Sequence, residues 1–366
     1  MKILHVVPTL GYGGVAKVVT NYYEQMDHER FRFDIITHGG KEDYHSALIK
    51  DGSKIYYFQT LGKVGIKEYK KQIKENIDLS EYDIVHIHVG HLTGLYAMLF
   101  KKLGTKKIIC HAHTTRCVNK KQAKLMPIWR FLANHYSDYR IACGHDAGEF
   151  CFGHNNYTVL PNGISFHKIN DIGEQEIENL KEELGIKKEQ FIVGHVGAFS
   201  PQKNHFLLVD IIHDFLKKHN NTVFVLVGDG PLKAEIENKV KQNGDTDSVI
   251  FTGIRNDVYT CMKMFDVFVL PSLHEGLPVV GIEAQAAGTH CLFSENIDKT
   301  VDIEAGLVEF LPIDRGTKCW RKSLETTYFT KECEVKKDVF SCLKRSGYEI
   351  TESSKALEDI YNSLNT

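Results

Sequence analysis

The stretch Leu273-His-Glu-Gly-Leu-Pro-Val-Val-Gly-Ile-Glu283 joins a short apolar run, residues 267–270, to a segment of small residues, 284–288. An apolar run, a glycine-containing turn and a helix-forming segment in succession are typical of a strand–loop–helix unit in a parallel sheet. The same stretch places two carboxylates, Glu275 and Glu283, eight positions apart among apolar neighbours. Because carboxylates are seldom buried without a partner, the stretch predicts a bound ligand as well as a fold.

This unit recurs along almost the whole chain. The predicted strands lie at 3–7, 33–37, 55–58, 84–88, 107–112, 140–143 and 158–161, then at 191–196, 222–227, 249–252, 267–270, 290–293 and 307–311. The predicted helices include 15–25, 66–77, 204–218, 232–243, 258–264 and 351–364. This alternation predicts an α/β fold of two doubly wound, Rossmann-like domains that bind ligands at the carboxyl ends of their strands, facing a central cleft.

The strand series restarts near Phe191, after a charged helical stretch at 174–184. A chain of 366 residues is too long for one ordinary core and suits two domains. We therefore predict an N-terminal domain at 1–165 and a second domain at 166–345. A C-terminal helix within 346–366 is expected to pack back on the first domain.

Composition indicates a soluble globular protein, with 42% hydrophobic and 25% charged residues. No apolar run approaches the roughly 18 residues of a membrane span, and the short apolar N-terminus predicts no signal peptide. Nine scattered cysteines without a Cys-x-x-Cys motif predict reduced thiols and a cytoplasmic location. Residues 1–165 hold 22 Lys and Arg against 15 Asp and Glu (+7), and residues 166–366 hold 23 against 32 (−9), which predicts different partners.

Glycine-rich loops follow the first strand of each predicted domain. In the first loop, Gly13 and Gly14 allow close backbone approach, and the next helix offers free N–H groups to an anion; a plain turn is the alternative. The loop fits a dinucleotide fingerprint loosely, but the second strand lacks the acid that NAD binding requires. In the second loop, 194–204, Gly197 precedes Lys203 at a helix start, where an ammonium neutralises a phosphate or, alternatively, stays in solvent.

Three further loops extend the predicted site. Gly228 lies in a turn with a mainly structural role and leaves room beside a ligand, and Pro231 is expected as the first helical residue. The loop at 252–258, which contains Ile254 and Arg255, has the size to hold a base and also to cap a helix.

In the opening stretch, Pro278 suits the first turn of a helix, so the amides of Gly276 and Leu277 point outward at its N-terminus. Glu275 and Glu283 then lie on either side of an anion and accept hydrogen bonds from hydroxyl groups. A nucleotide sugar satisfies this arrangement. The alternative is two surface glutamates beside a turn.

Histidines cluster around two strand ends, at His86, His88 and His91 and at His111 and His113. Such a cluster is a candidate metal site, but no local acid or cysteine completes a ligand set. Pairs at strand spacing point to one face and often line a cleft. We therefore expect no metal and take His113, at a strand end, as the functional histidine.

The chain resembles the family 4 glycosyltransferases of the GT-B fold, closest to the bacterial capsule and exopolysaccharide subgroup. The matching stretches are 5–14, 82–88, 111–114, 160–164, 194–204, 227–230, 253–258 and 271–288. The pair of glutamates around Gly-Leu-Pro is the most specific of them, whereas the glycine loops alone are common.

The resemblance implies retaining, metal-independent transfer of a hexosyl or N-acetylhexosaminyl group from a nucleotide-diphosphate sugar, with UDP as the expected nucleotide and no cofactor. It implies a lipid-linked or oligosaccharide acceptor on the first domain and no nucleic-acid partner. By this resemblance, Glu283 binds the ribose and Glu275 faces the donor sugar. The backbone around Gly276, Leu277 and Pro278 contacts the diphosphate, and Lys203 neutralises its charge. Gly14 flanks donor and acceptor, and His113 contacts the sugar near the reacting carbon.

One position departs from the family. Members usually carry an arginine after the glycine that ends the strand, and here that position is Ala198. Half of the expected cationic clamp on the leaving diphosphate is absent, which predicts weaker turnover or a replacement cation, with Arg255 and Arg116 as candidates. With no nucleophilic carboxylate placed in the first domain, we expect front-face transfer.

A basic segment of the first half, around 101–132, interleaves lysines with Leu125, Ile128, Trp129 and Phe131. It predicts peripheral contact with an anionic membrane, or equally an ordinary amphipathic helix. Two other functions remain open. A nucleotide-sugar epimerase shares the fold, and a nucleotide-sugar-binding protein with little transferase activity is compatible with Ala198.

Overall fold

A computed structural model describes residues 1–11, 14–39, 48, 51–117, 120–154, 156–275, 277–330 and 338–365, without the side chains of residues 120 and 121. The chain forms two compact units. The first comprises Met1–Ile164 together with Gly347–Thr366, and the second comprises Ser165–Ser346. Each unit is built on one parallel sheet, so the predicted α/β fold is confirmed.

The sheet of the first unit has the order β3-β2-β1-β4-β5-β6-β7. Its strands are β1 (Lys2–Val7), β2 (Arg32–Thr37), β3 (Ile55–Tyr57), β4 (Ile84–Ile87), β5 (Lys107–Ala112), β6 (Tyr139–Ala142) and β7 (Thr158–Val159). The helices are α1 (Gly14–Gln25), α2 (Leu61–Asn76), α3 (Thr93–Lys102), α4 (Lys120–Lys124), α5 (Met126–Tyr136) and α6 (His145–Phe152). Strand β4 is buried along its length, as expected of a strand covered by helices on both faces.

The sheet of the second unit has the order β10-β9-β8-β11-β12-β13. Its strands are β8 (Phe191–Val196), β9 (Thr222–Val227), β10 (Val249–Gly253), β11 (Val267–Leu270), β12 (His290–Ser294) and β13 (Val308–Leu311). The helices are α7 (Phe166–Asn170), α8 (Glu174–Glu183), α9 (His205–Leu216), α10 (Lys233–Asn243), α11 (Val258–Met264), α12 (Val279–Ala286), α13 (Lys318–Thr330) and α14 (Val339–Arg345). The core of this unit is aromatic-rich, with Phe199, Phe215, Phe224 and Trp320 fully buried.

The last helix, α15 (Ile350–Leu364), belongs to the first unit. Two backbone hydrogen bonds join Ile164 to the segment where the chain re-enters this unit. Ile164 N donates to Tyr348 O, and Ile350 N donates to Ile164 O. Gly163 leaves the room for this contact, since a Cβ there would lie 2.2 Å from Ser353 Oγ. The buried Tyr361 then reaches the central strands of the sheet.

Two helix starts differ from the prediction because of a turn residue. Helix α2 begins at Leu61 and not near 66, and it bends at Gly65, whose φ of 78° is open to glycine. Helix α10 begins at Lys233, so Pro231 lies in the preceding turn and is not the first helical residue. In both places a turn residue shifts the helix start by a few positions, which hydrophobic periodicity does not resolve.

Candidate active site

The loop after β8 brings Lys203 towards the loop after β11. Residues Pro201–Lys203 form a 3-10 turn, and Asn204 follows in the left-handed conformation, with φ 55° and ψ 44°. Asparagine is one of the few residues that tolerate this conformation. Its Nδ2 donates to Pro271 O at 3.1 Å, and Leu273 N donates to Gln202 O at 2.8 Å. These bonds join two motif loops that are distant in sequence.

The carboxylate of Glu275 has three side-chain partners. Lys203 Nζ lies 2.7 Å from its Oε1, and the two side chains are only 15% and 10% exposed. Ser272 Oγ donates to the same oxygen at 3.0 Å, and Gln202 Nε2 donates to Oε2 at 2.8 Å. The sequence motifs do not single out Gln202 or Ser272, although Gln202 adjoins Lys203 and Ser272 lies three positions before Glu275. The ammonium is therefore neutralised here by a carboxylate, and an anion would have to displace that carboxylate to reach it.

Glu283 lies in the second turn of α12 and is 4% exposed. Pro278 is the residue that precedes this helix, with ψ 105°, and not part of its first turn as predicted. Gly281 allows the helix to approach β12, because a Cβ there would lie 3.0 Å from Phe293. Leu277 is half-buried, and Gly276 lies outside the described residues. The structure thus holds both glutamates of the opening stretch in one unit.

The glycines of this unit serve contacts between loops. A Cβ on Gly228, whose φ is 135°, would lie 2.2 Å from the carbonyl oxygen of Gly197. A Cβ on Gly197 would lie 3.0 Å from Lys203 Cε and 3.2 Å from His195 Nε2. The expected room beside a ligand at Gly228 is therefore occupied by the neighbouring loop. The lack of a side chain at Gly197 lets the Lys203 stem pass close to the backbone.

Arg255 is bound by two carboxylates. Its guanidinium donates to Asp257 at 2.7 Å and to Glu183 at 2.7 and 3.1 Å. The hydrogen bonds to Asp257 are the main reason that the pKa of Arg255 is raised, and in return Arg255 lowers the pKa of Asp257. Its charge is already balanced, which argues against Arg255 as the replacement cation. The adjacent Ile254 is 46% exposed.

In the first unit, Gly14 begins α1 and His113 follows β5, while Gly13 lies outside the described residues. Arg116 is exposed in the segment after β5. Burial lowers the pKa of His113 to about 4, so its ring is neutral at pH 7. His86, His88 and His111, which the sequence places at the same strand ends, are all buried within the unit.

These histidines contact one another across the sheet. Within the described residues, two groups of three bring ring nitrogens to within 4.8 Å of one another: His5, His86 and His88, and His88, His111 and His113. The order of β1, β4 and β5 in the sheet makes them neighbours. His5 was not selected from the sequence, and its only signal is a polar residue inside an apolar strand.

Comparison with known proteins identifies the relatives of this chain. Residues 12–168 match the family model described as glycosyltransferase family 4, and residues 176–304 match glycosyl transferases group 1. The chain is 31% identical to the putative glycosyltransferase EpsF of Bacillus subtilis, over 99% of this chain and 96% of that protein. It is 30% identical to the UDP-Gal:alpha-D-GlcNAc-diphosphoundecaprenol alpha-1,3-galactosyltransferase of Escherichia coli, over 80% and 79%.

Solved structures share the fold at low identity. HepE from Anabaena, solved in complex with UDP-glucose, aligns with a TM-score of 0.78 and 17% identity, over 99% of this chain and 100% of that chain. A sucrose-phosphate synthase from Thermosynechococcus elongatus aligns with a TM-score of 0.78 and 15% identity, over 100% and 99%.

Proposed function

This chain belongs to the family 4 glycosyltransferases of the GT-B fold, of the exopolysaccharide kind, and we propose that it transfers a hexose or N-acetylhexosamine, with retention, from a UDP-sugar to a lipid-linked acceptor. The second unit holds the donor, and the first unit supplies His113 and binds the acceptor. The transfer needs no metal ion and takes place at the cytoplasmic face of the membrane.

One observation carries the proposal: the second unit holds a nearly buried lysine beside one glutamate, Glu275, and a second buried glutamate, Glu283, in the next helix. A cation paired with one carboxylate, together with a second carboxylate in the following helix, suits a ligand with a central diphosphate and hydroxyl groups at both ends. The UDP-glucose complex of HepE and the UDP-galactose donor in the name of the E. coli relative support UDP as the nucleotide. That relative's diphosphoundecaprenol acceptor supports a lipid carrier.

The proposed reaction is a front-face displacement. The bond between the anomeric carbon and the diphosphate oxygen breaks, the acceptor oxygen bonds to the same face of that carbon, and the acceptor proton passes to the departing diphosphate. Negative charge grows on the diphosphate, and Lys203 stabilises it after exchanging Glu275 for the substrate. Glu283 orients the donor by accepting hydrogen bonds from the ribose, and positioning provides much of the remaining acceleration.

The first prediction concerns donor binding. UDP is expected to raise the Tm of the wild-type protein, and Glu283→Ala is expected to weaken UDP binding at least tenfold and remove that shift. Each charge-assisted hydrogen bond to a carboxylate contributes about 1.5–3 kcal/mol, and the ribose offers two hydroxyl groups. The measurement is differential scanning fluorimetry with UDP, GDP and ADP, followed by calorimetric titration.

Glu235→Ala, an exposed glutamate of α10, is the matched control and should keep the UDP shift. A shift with GDP or ADP in place of UDP would contradict the proposed donor. An equal UDP shift in Glu283→Ala would remove Glu283 from the site. Binding of UDP-sugars with neither UDP release nor transfer to lipid-linked acceptors would favour a binding protein.

A surface of α5 supports the membrane contact. Leu125, Ile128 and Phe131 follow one another at helical spacing and are 41%, 51% and 63% exposed. The opposite side of α5 packs on α3, where a Cβ on Gly94 would lie 2.3 Å from Trp129 O. Exposed basic residues lie nearby in sequence at Lys101, Lys102, Lys106 and Lys124. Among the described residues, no helix has both the length and the hydropathy needed to cross a bilayer.

The second prediction tests this surface. Wild-type protein is expected to float with phosphatidylglycerol vesicles at low salt, and Ile128→Ser with Phe131→Ser is expected to reduce the bound fraction at least tenfold. Burying one such side chain contributes roughly 1.5–3 kcal/mol. Phe329→Ser is the matched control, because Phe329 is 72% exposed on α13 of the acidic half. No flotation of the wild type, or an equal loss in the control, would contradict the proposed contact.

A further inference from the structure

Five imidazole rings from β1, β4, β5 and the residues that follow them form two hydrogen-bonded chains inside the first unit. In the first chain, His5 Nδ1 lies 3.1 Å from His88 Nε2, and His88 Nδ1 lies 2.9 Å from His113 Nε2. In the second, Tyr361 Oη lies 2.8 Å from His86 Nδ1, and His86 Nε2 lies 3.2 Å from His111 Nδ1. The first chain ends at His113, the histidine assigned to the site.

All the rings of the first chain are neutral at pH 7. Burial lowers the pKa of His5 to about 3 and that of His113 to about 4, and burial with the neighbouring histidines lowers that of His88 well below its usual value. A neutral imidazole has one N–H and one lone pair. Each ring must therefore donate to one neighbour and accept from the other, so the chain has one of two directions.

The ends of the chain decide between these directions. His5 Nε2 and His113 Nδ1 are both buried, and among the described atoms His5 Nε2 has no hydrogen-bond partner. His5 lies within a strand and is only 1% exposed. A buried N–H without an acceptor is rarer than a buried lone pair without a donor, so the unpartnered Nε2 of His5 is expected to carry the lone pair. At the other end, a hydrogen bond with the Asn162 side chain acts to raise the pKa of His113, as expected if the buried Asn162 Oδ1 accepts from an N–H of the ring. Both ends favour a lone pair on His5 Nε2 and an N–H on His113 Nδ1.

We infer that His5 and His88 are positioning residues that hold His113 in its Nδ1–H tautomer, with Nε2 accepting from His88 and Nδ1–H directed at Asn162, so that the ring of His113 is fixed in orientation and does not act as a base. His5 Nδ1–H donates to His88 Nε2, and His88 Nδ1–H donates to His113 Nε2. The lone pair of His113 is then already used inside the protein. The part of His113 in the transfer rests on the proposed function, whereas its tautomer does not.

This assignment agrees with front-face transfer. A histidine whose lone pair already accepts a hydrogen bond inside the protein cannot take the proton of the acceptor hydroxyl, which leaves the departing diphosphate as the proton acceptor. A metal ion explains the cluster less well. In either group of three, a metal ion would have to bind ring nitrogens that already form hydrogen bonds with other rings. Among the described residues, neither group includes a carboxylate or thiolate that would balance a buried divalent charge.

The tautomer can be measured directly. Protein labelled with ¹⁵N-histidine is studied by long-range ¹H–¹⁵N correlation at pH 7.5, and the His113 signals are assigned by their loss in His113→Gln. We expect Nδ1 of His113 to have the pyrrole-type shift and Nε2 the pyridine-type shift. The opposite pattern, or an even mixture of tautomers, would overturn the inference.

Two substitutions test the role of His88. His88→Leu breaks the chain and is expected to convert His113 to a tautomer mixture and to lower kcat for sugar transfer about tenfold or more, with the Kd for UDP unchanged. His88→Gln can both accept and donate, and is expected to retain more of the single tautomer and of kcat. His86→Gln, in the second chain, is the control and should leave the His113 signals unchanged. A single Nδ1–H tautomer in His88→Leu would overturn the positioning role.

The inference and the proposed function fail separately. If the His113 tautomer is as stated but UDP does not bind the wild type, the proposed function is contradicted and the histidine chain is supported. If UDP binds and transfer occurs, but His88→Leu converts the tautomer without lowering kcat, the contribution of the tautomer to transfer is overturned.

Discussion

Lys203→Ala is expected to lower kcat/KM for sugar transfer about 100- to 1,000-fold, the range seen when one preorganised group that stabilises developing negative charge is removed. The loop from Gly197 to Asn204 contains one basic residue, because Ala198 takes the place of the arginine usual in the family. Arg255 is already bound by Asp257 and Glu183 and does not replace it. The charge on the departing diphosphate therefore depends strongly on Lys203.

The measurement is release of UDP from the UDP-sugar that most stabilises the wild type, with and without acceptor. Gln202→Ala is the matched control, because Gln202 donates to the same carboxylate without carrying charge, and it should lose less than about tenfold. Ala198→Arg is the complementary change and is expected to raise turnover and to restore part of the activity of Lys203→Ala. An unchanged or lower turnover in Ala198→Arg would contradict the proposal that the cationic clamp on the diphosphate is incomplete. Wild-type activity in Lys203→Ala would show that Lys203 does not stabilise the departing diphosphate.

Acidification is expected to destabilise the protein steeply between pH 6.5 and pH 4. Burial lowers the pKa of His5 to about 3 and those of His113 and His205 to about 4, whereas the unfolded chain binds these protons near the usual value of 6.5. Folding stability from these groups is fully present above pH 6.5 and is lost as the pH falls towards their folded values. Protonation of each such histidine lowers the free energy of unfolding by about 2 kcal/mol between pH 7 and pH 5. The total free energy of unfolding of a typical protein is roughly 5–15 kcal/mol.

The measurement is the free energy of unfolding by urea at pH 7, 6 and 5. His205→Phe provides the internal test, because the buried His205 stacks on Phe199 and neither ring nitrogen has a partner among the described atoms. This variant should lose about 2 kcal/mol less than the wild type between pH 7 and pH 5. His154→Asn, with a side chain 94% exposed, should lose as much as the wild type. A wild-type stability that is flat down to pH 5 would contradict the neutral buried state of these histidines.

Much of the fold could be predicted from the sequence because strands buried on both faces appear as continuous β-branched and apolar runs. Every predicted strand overlaps a strand of the structure, and β5, β8, β9 and β11 have the predicted bounds. Helix starts were less accurate, as at Pro231 and Pro278, because a proline is compatible both with the first turn and with the residue before it.

Motifs identify site residues within single loops, but they do not indicate which distant residues those side chains contact. Lys203, Glu275 and Glu283 could be named because each lies in a loop or helix that follows a strand. That Lys203 pairs with Glu275 depends on the contact between two loops 72 residues apart. The binding of Arg255 by Glu183 depends on another contact over 72 residues. Charged residues at such separations give no local signal, so their pairing could not be predicted.

The sequence by itself determined the α/β class, the two-domain organisation of strands and helices, and the glutamate pair around Gly-Leu-Pro, because these follow from short-range periodicity and loop chemistry. Only the tertiary structure decided which polar groups meet. His5, His88 and His113 become one hydrogen-bonded chain because the sheet places β1 beside β4 and β4 beside β5, although His5 and His88 are 83 residues apart. Strand order is set by packing over the whole unit, and the direction of a hydrogen bond between two rings depends on distances of about 3 Å that no periodicity encodes.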